Sequence, residues 1–176
     1  MDLHWHSYEL RPEGSPPISP AYLAKIEASL PRIHQMMRDE HGIEITPGPF
    51  GISSRSALAA SKWAEAQSEV LGRQFHDRVF RAYWMQGQNI GEMAVLRTCA
   101  DATGLDGAAL EHMLATPELR APFEAEVSAD VEQAHAFNLN GVPALIFDDR
   151  YLVPGAVPAS TLRQIVDQIT GEGAAE

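Results

Sequence analysis

Asn140-Gly141-Val142-Pro143-Ala144-Leu145-Ile146-Phe147, followed by Asp148-Asp149-Arg150 and Tyr151-Leu152-Val153-Pro154-Gly155, is the stretch that decides the fold. An unbroken apolar run, a polar turn, a second short apolar run and a Pro-Gly stop read as a β-hairpin. Proline is tolerated in a strand at its first residue or at an edge, and Pro143 stands at the mouth of the run. Two readings of Val142–Pro143 are open. A trans bond makes an ordinary strand entrance, and trans is the majority isomer of any X-Pro bond. A cis bond bends the chain sharply into the strand and leaves the groups of Val142 facing out, where they can pair with an extended peptide or a thiol-bearing ligand.

The chain on either side reads mainly as helix. Asp2 to Tyr8 is predicted as a strand, with Leu3, Trp5 and Ser7 on one side and His4, His6 and Tyr8 on the other. Two histidines without a third ligand make a poor metal site, so no metal is expected. Arg11 to Pro20, rich in proline, reads as a linker. Ala21 to His41 reads as a helix broken or restarted at Pro31, with Met36 and Met37 as core filling and Gly42 as a C-terminal cap. Ile43 to Thr46 is a short extended piece before the Pro47-Gly48-Pro49 loop. Ser53 to Ser56 offer caps to a helix reaching about Leu71, and Gly72 divides it from a helix carrying Phe75, Val79 and Tyr83. Cys99 falls on or beside the buried stripe of the next helix and reads as an inert core thiol. Asp106 caps a short helix, and Thr116-Pro117 opens a long one that Pro122 kinks or trims. The acidic positions of that long helix, Glu118, Glu124, Glu126, Asp130 and Glu132, read as a solvated face. Leu162, Ile165, Val166 and Ile169 give a closing helix one apolar side.

Gly141-Val142-Pro143 with its hairpin, Val153-Pro154-Gly155-Ala156-Val157-Pro158 and the closing helix resemble the C-terminal half of the DsbA-like thioredoxin family. The nearest likeness is to the FrnE-like branch, the polyketide-biosynthesis dithiol–disulfide isomerase type. Phe80-Arg81-Ala82-Tyr83-Trp84 with Gly87-Gln88-Asn89-Ile90 is similar to the family's Phe-Arg-Ala-Tyr-Phe…Gly-x-x-Ile. Ser54-Arg55-Ser56-Ala57-Leu58 is similar to its Asn-Ser-Arg-x-Ala-Leu, and Trp5-His6-Ser7-Tyr8-Glu9-Leu10 to its Trp-Arg-x-Phe-Glu-Leu. Family members place a strand and a Cys-x-x-Cys helix start ahead of the segment matching Leu3 to Tyr8, and no Cys-x-x-Cys occurs here.

The resemblance implies an α/β chain: a thioredoxin-like sheet with an inserted helical domain, the first strand and helix missing. Residues 1–46 would begin the thioredoxin-like part, 47–116 form the helical insertion, and 117–176 return with the long helix, the hairpin and the closing helix. In the family the missing strand lies mid-sheet. Unpaired buried backbone groups cost about 1–3 kcal/mol each, so such a gap is expected to be closed, and a homo-oligomer through the sheet edge is expected.

The bounds are consistent with this. A chain of 176 residues fits one domain, with or without a sizeable insertion, and can bury a core unaided. Its formal charge of −11 argues against nucleic-acid and anionic-membrane partners. No run approaches a membrane span, and Asp2, His4 and His6 are unlike a signal peptide. One cysteine excludes an intrachain disulfide and fits a reducing compartment, so a cytoplasmic location is expected.

The family chemistry is thiol–disulfide exchange, in which a thiolate attacks a disulfide while the proline loop holds the substrate. Without the redox pair, no catalytic residue can be named and dithiol activity is not expected. The implied substrate-binding residues are Val142, Pro143 and Gly141, with a thiol or disulfide substrate. Ser53 stands where the family has a loop asparagine near the site; its other reading is a helix cap. Two alternatives stay open. One is an enzyme like the kappa-class glutathione transferases and hydroxychromene-carboxylate isomerases, with glutathione as ligand. The other is a non-catalytic binding or assembly protein on the same scaffold.

Overall fold

The computed structural model describes residues 3–173, which divide into two compact units meeting between Glu132 and Gln133. Asp2 and the last three residues of the tail lie outside the described range. The elements in chain order are α1 (Pro20–His41), α2 (Arg55–Gln67), α3 (Glu69–Gln86), α4 (Met93–Ala102), α5 (Gly107–Ala115), α6 (Pro117–Ala136), β1 (Ala144–Phe147), β2 (Tyr151–Pro154) and α7 (Ala159–Gly173).

The first unit is organised by α2 to α5. Phe75, Leu96 and Leu110 are fully buried, and alanines at 59, 60, 64, 82 and 100 let the helices approach closely around them. The break between α2 and α3 falls at Ser68, not at Gly72 as the sequence suggests. Ser68 turns extended, and its Oγ accepts from Leu71 N–H, capping α3. Gly72 sits inside α3 for a packing reason: a Cβ there would lie 2.7 Å from Cα of Glu65, so the two helices cross nearly backbone to backbone. Asp106 caps α5, accepting from Ala109 N–H at 2.9 Å. The Pro47-Gly48-Pro49 loop is stitched to the end of α3, with Thr46 N–H donating to Trp84 O at 2.8 Å and Gly48 N–H to Tyr83 O at 2.7 Å.

Three further expectations are corrected here. Helix α1 runs unbroken through Pro31, and α6 keeps its first turn ahead of Pro122 instead of splitting it off. Proline deprives the carbonyl four residues earlier of its partner; those residues, Glu27 and Glu118, are exposed, so water can take the bond. The Met36 and Met37 stripe is not core: no residue of α1 is buried and Met36 is 43% exposed. Residues 3–8 form no strand. A ladder needs a neighbouring strand, and the backbone N–H of Ser7 is instead taken by the Asp130 carboxylate of α6 at 2.7 Å.

The second unit contains the hairpin and α7. Strands β1 and β2 pair antiparallel, Ala144 opposite Pro154 and Phe147 opposite Tyr151. The turn places Asp148 and Asp149 at φ 53° and 51°, a left-handed region in which aspartate is enriched, and Arg150 N–H closes it on Phe147 O at 3.0 Å. All four residues of β1 are half-buried.

Candidate functional site

The approach to β1 carries Gly141, Val142 and Pro143, the residues that the family resemblance nominates for substrate binding. Helix α6 ends with Leu139 N–H donating to Ala134 O at 3.0 Å, and Asn138 is left-handed at φ 57°. The chain then passes through Gly141 to the Val142–Pro143 bond, which is cis. Pro143 O accepts from Gly155 N–H at 2.8 Å, which extends the hairpin pairing by one bond and fixes the proline over the stop of β2. Val142 is 50% exposed, and no hydrogen bond among the described residues engages its backbone. Its N–H and C=O are therefore available to an extended ligand.

In the first unit, two of the sequence segments that carry the family likeness meet. Arg55, at the start of α2, donates to Glu9 Oε2 at 2.8 Å. It also donates to Glu124 O at 2.9 Å and to Ser128 Oγ at 2.7 Å on α6. Glu9 is nearly buried, with a side chain 7% exposed, and its Oε1 has no hydrogen-bond partner. A second node lies one turn further along α6. Asp130 takes Lys62 Nζ at 2.7 Å, Ser7 N–H at 2.7 Å and His6 Nδ1 at 2.8 Å. Burial pushes the Asp130 carboxyl up, but the bonds from Lys62, Ser7 and His6 outweigh it and hold the group below the usual carboxylate range. For Glu65 the balance falls the other way: burial raises the carboxyl, Lys62 only partly offsets this, and Asp130 adds to the rise.

Asp130 thus departs from the solvated face assigned to α6: its side chain is 11% exposed and holds the segment around Ser7. Spacing along the chain does not mark Glu9, Arg55 or Lys62 either. The available signal was the pairing of an acid in Trp5-His6-Ser7-Tyr8-Glu9 with the arginine in Ser54-Arg55-Ser56, two likenesses that are only intelligible together. Ser53 is exposed and its Oγ accepts from Arg55 N–H at 3.3 Å, which makes it a local turn-former at the helix start. His6 and Asp130 bond directly to each other, and among the described residues no group of three or more metal-ligating side chains converges.

Cys99 is 2% exposed in the centre of α4. Burial pushes its thiol up, and Arg78 offsets this only in part. A thiol so placed is poorly disposed to form the thiolate that exchange chemistry needs.

A run of helices followed in the chain by a hairpin with a cis proline at its entrance is the element order of a DsbA-like thioredoxin-fold chain. The chain matches the DSBA-like thioredoxin domain over residues 1–167, and it belongs to that family. It is 28% identical over 161 residues to the uncharacterized protein YwbO of Bacillus subtilis (strain 168), covering 89% of this chain and 76% of that one. It is 28% identical over 122 residues to the ClpXP adapter protein SpxH of Shouchella clausii (strain KSM-K16), covering 65% of this chain but 39% of the adapter. Among solved structures it is similar to a DsbA oxidoreductase from Streptomyces coelicolor, with a TM-score of 0.76 at 23% identity over 95% of this chain and 74% of that one. A structure from Nitrosomonas europaea, named as a protein disulfide isomerase, superposes with a TM-score of 0.70 at 19% identity over 89% of this chain and 78% of that one. These likenesses establish the thioredoxin-like fold with its helical portion. Among the described residues no helix is long and apolar enough to cross a membrane.

Proposed function

We propose that this chain is a DsbA/FrnE-like protein that holds thiol or disulfide substrates and has no dithiol turnover of its own. The observation that carries the reading is the family match across residues 1–167 in a chain whose single cysteine is Cys99, buried and held as a thiol. Exchange requires a thiolate to attack a disulfide sulfur and a second thiol to resolve the mixed disulfide. Val142 supplies the free backbone groups that pair with substrate, Pro143 sets the shape of the loop, and Gly141 keeps the approach clear of side chain. The helical residues 47–116 are the insertion of this scheme. One buried thiol fits a reducing compartment, and the proposal places the chain in the cytoplasm.

The test is insulin reduction by dithiothreitol with and without the protein. The expected result is no acceleration by the chain, and none by Cys99→Ser. Acceleration that survives Cys99→Ser overturns the reading.

The proposal includes a homo-oligomer built through the edge of β1, which is bonded on one side only among the described residues. Light scattering should report a dimer or larger species; a folded monomer at every concentration removes this part.

A second reading, a non-catalytic binding protein on the same scaffold, draws support from the likeness to the ClpXP adapter protein SpxH. The two separate on substrate: a binding protein retains its partner after every thiol and disulfide in that partner is replaced by serine.

A further inference from the structure

Positive charge gathers in one place outside the regions described so far. A cleft of about 660 Å³ runs along α3 where it faces the end of α4. Positions 70, 73, 74, 77, 78 and 81 recur at three- and four-residue steps, so α3 presents them on one side. Three of them are Arg73, Arg78 and Arg81, against the single acid Asp77. The wall therefore carries 3 − 1 = +2 in a chain of formal charge −11.

The hydrogen-bonding inventory of this wall is lopsided. Arg78 is half-buried and makes no hydrogen bond or ion pair among the described residues. Arg73 and Arg81 are paired with carboxylates of their own helix, Glu69 and Asp77, which are 84% and 62% exposed, and Arg81 also donates to Met85 Sδ at 3.7 Å. Such solvated pairs contribute little and are readily exchanged. Gln74 adds an uncommitted amide. On the facing wall, Thr103 spends its hydroxyl proton on the Cys99 and Ala100 carbonyls, at 3.1 and 2.9 Å. What the cleft offers is planar, permanently charged donors in excess of acceptors, and carboxylates complement these best.

Its length selects among anions. Eight residues of helix separate Arg73 from Arg81, about 12 Å along the axis, with Arg78 between. An extended peptide presents side chains on one face about every 7 Å, so alternate residues match this row. Val70, 54% exposed at one end, adds an apolar contact. A compact phosphate would use only part of the row.

We propose that the α3–α4 cleft docks an extended acidic peptide segment of a partner protein, with alternate carboxylates on Arg73, Arg78 and Arg81. The test is fluorescence anisotropy of the whole chain with a dye-labelled hexapeptide of alternating glutamate and serine. Saturable one-to-one binding that weakens with salt is expected. About a tenfold loss is expected in Arg78→Gln, and again in the double variant Arg73→Gln with Arg81→Gln. The double variant touches exposed side chains only, so it decides the matter if Arg78→Gln unfolds, as read by circular dichroism. Arg38→Gln on α1 should bind as the parent does. Absence of saturable binding, an equal loss in Arg38→Gln, or displacement by inorganic triphosphate at lower concentration than unlabelled peptide each overturns the proposal.

Discussion

The α2–α5 core and the β1 strand are both written in apolar residues, yet they are covered very differently. Phe75, Leu96 and Leu110 are excluded from solvent entirely, whereas every residue of Ala144–Phe147 is only half-buried. A continuous apolar run in a strand is the pattern of a strand covered on both faces. The difference teaches that an apolar pattern records how much cover a segment can use. How much cover it receives depends on neighbours brought from elsewhere, and β1 has an edge to offer them.

The comparison can be broken at its extremes. Phe75→Ala should lose about 3–5 kcal/mol, since a fully enclosed aromatic leaves a cavity as well as losing its transfer energy. Ile146→Ala in the half-covered strand should lose about 1.5 kcal/mol. Urea denaturation read by circular dichroism measures both. If the Ile146 variant costs as much as the Phe75 one, β1 is enclosed in solution, and the edge-paired oligomer gains direct support.

Glycines sharpen the contrast. In an open helix, alanine is favoured over glycine by about 1 kcal/mol. Gly72→Ala should do the reverse and lose about 2 kcal/mol, because its Cβ meets the Glu65 backbone. Gly141→Ala, with nothing within 4 Å of its Cβ, should stay within about 0.5 kcal/mol of the parent. A stabilised Gly72→Ala would show that α2 and α3 are not in close contact there.

The α6 node supplies two smaller effects with opposite pH behaviour. Asp130 is held below its unfolded value, so its contribution is present above the ordinary carboxylate range and lost as pH falls through the folded value. Asp130→Asn should cost about 2 kcal/mol at neutral pH and flatten the acid limb of the stability profile. Glu65 is held above its unfolded value, so its stability is fully present only below that value and drains away as pH rises through the folded one. Glu65→Gln should therefore gain a few tenths of a kcal/mol at neutral pH and nothing under acid conditions. Thermal melts at several pH values test both, and an unchanged acid limb in Asp130→Asn would remove the node from the stability account.

Local chemistry explains what the sequence made legible. Gly42 and Gly87 take the left-handed caps their helices need, and Asp106 caps α5 through its own side chain. The hairpin was legible because its turn and its register are settled within a dozen residues. What was not legible depended on distant partners. Gly72 looks like a separator until Glu65 is brought against it, and Asp130 looks like a surface charge until Lys62 and Ser7 converge on it. Pro31 and Pro122 look like breaks because a sequence does not show which carbonyls face water. Residues 3–8 alternate as a strand should, but alternation supplies no neighbour to pair with.

Arg55 draws one partner from 46 positions upstream and another from 73 positions downstream. Closing chain segments of that length is entropically slow, and neither closure is rewarded until the guanidinium is satisfied from both sides. The N-terminal ribbon should therefore dock after the helical core has condensed and come away before it. In hydrogen exchange, the amide of Ser7, tied across 123 positions, should trade its proton well ahead of those within α3.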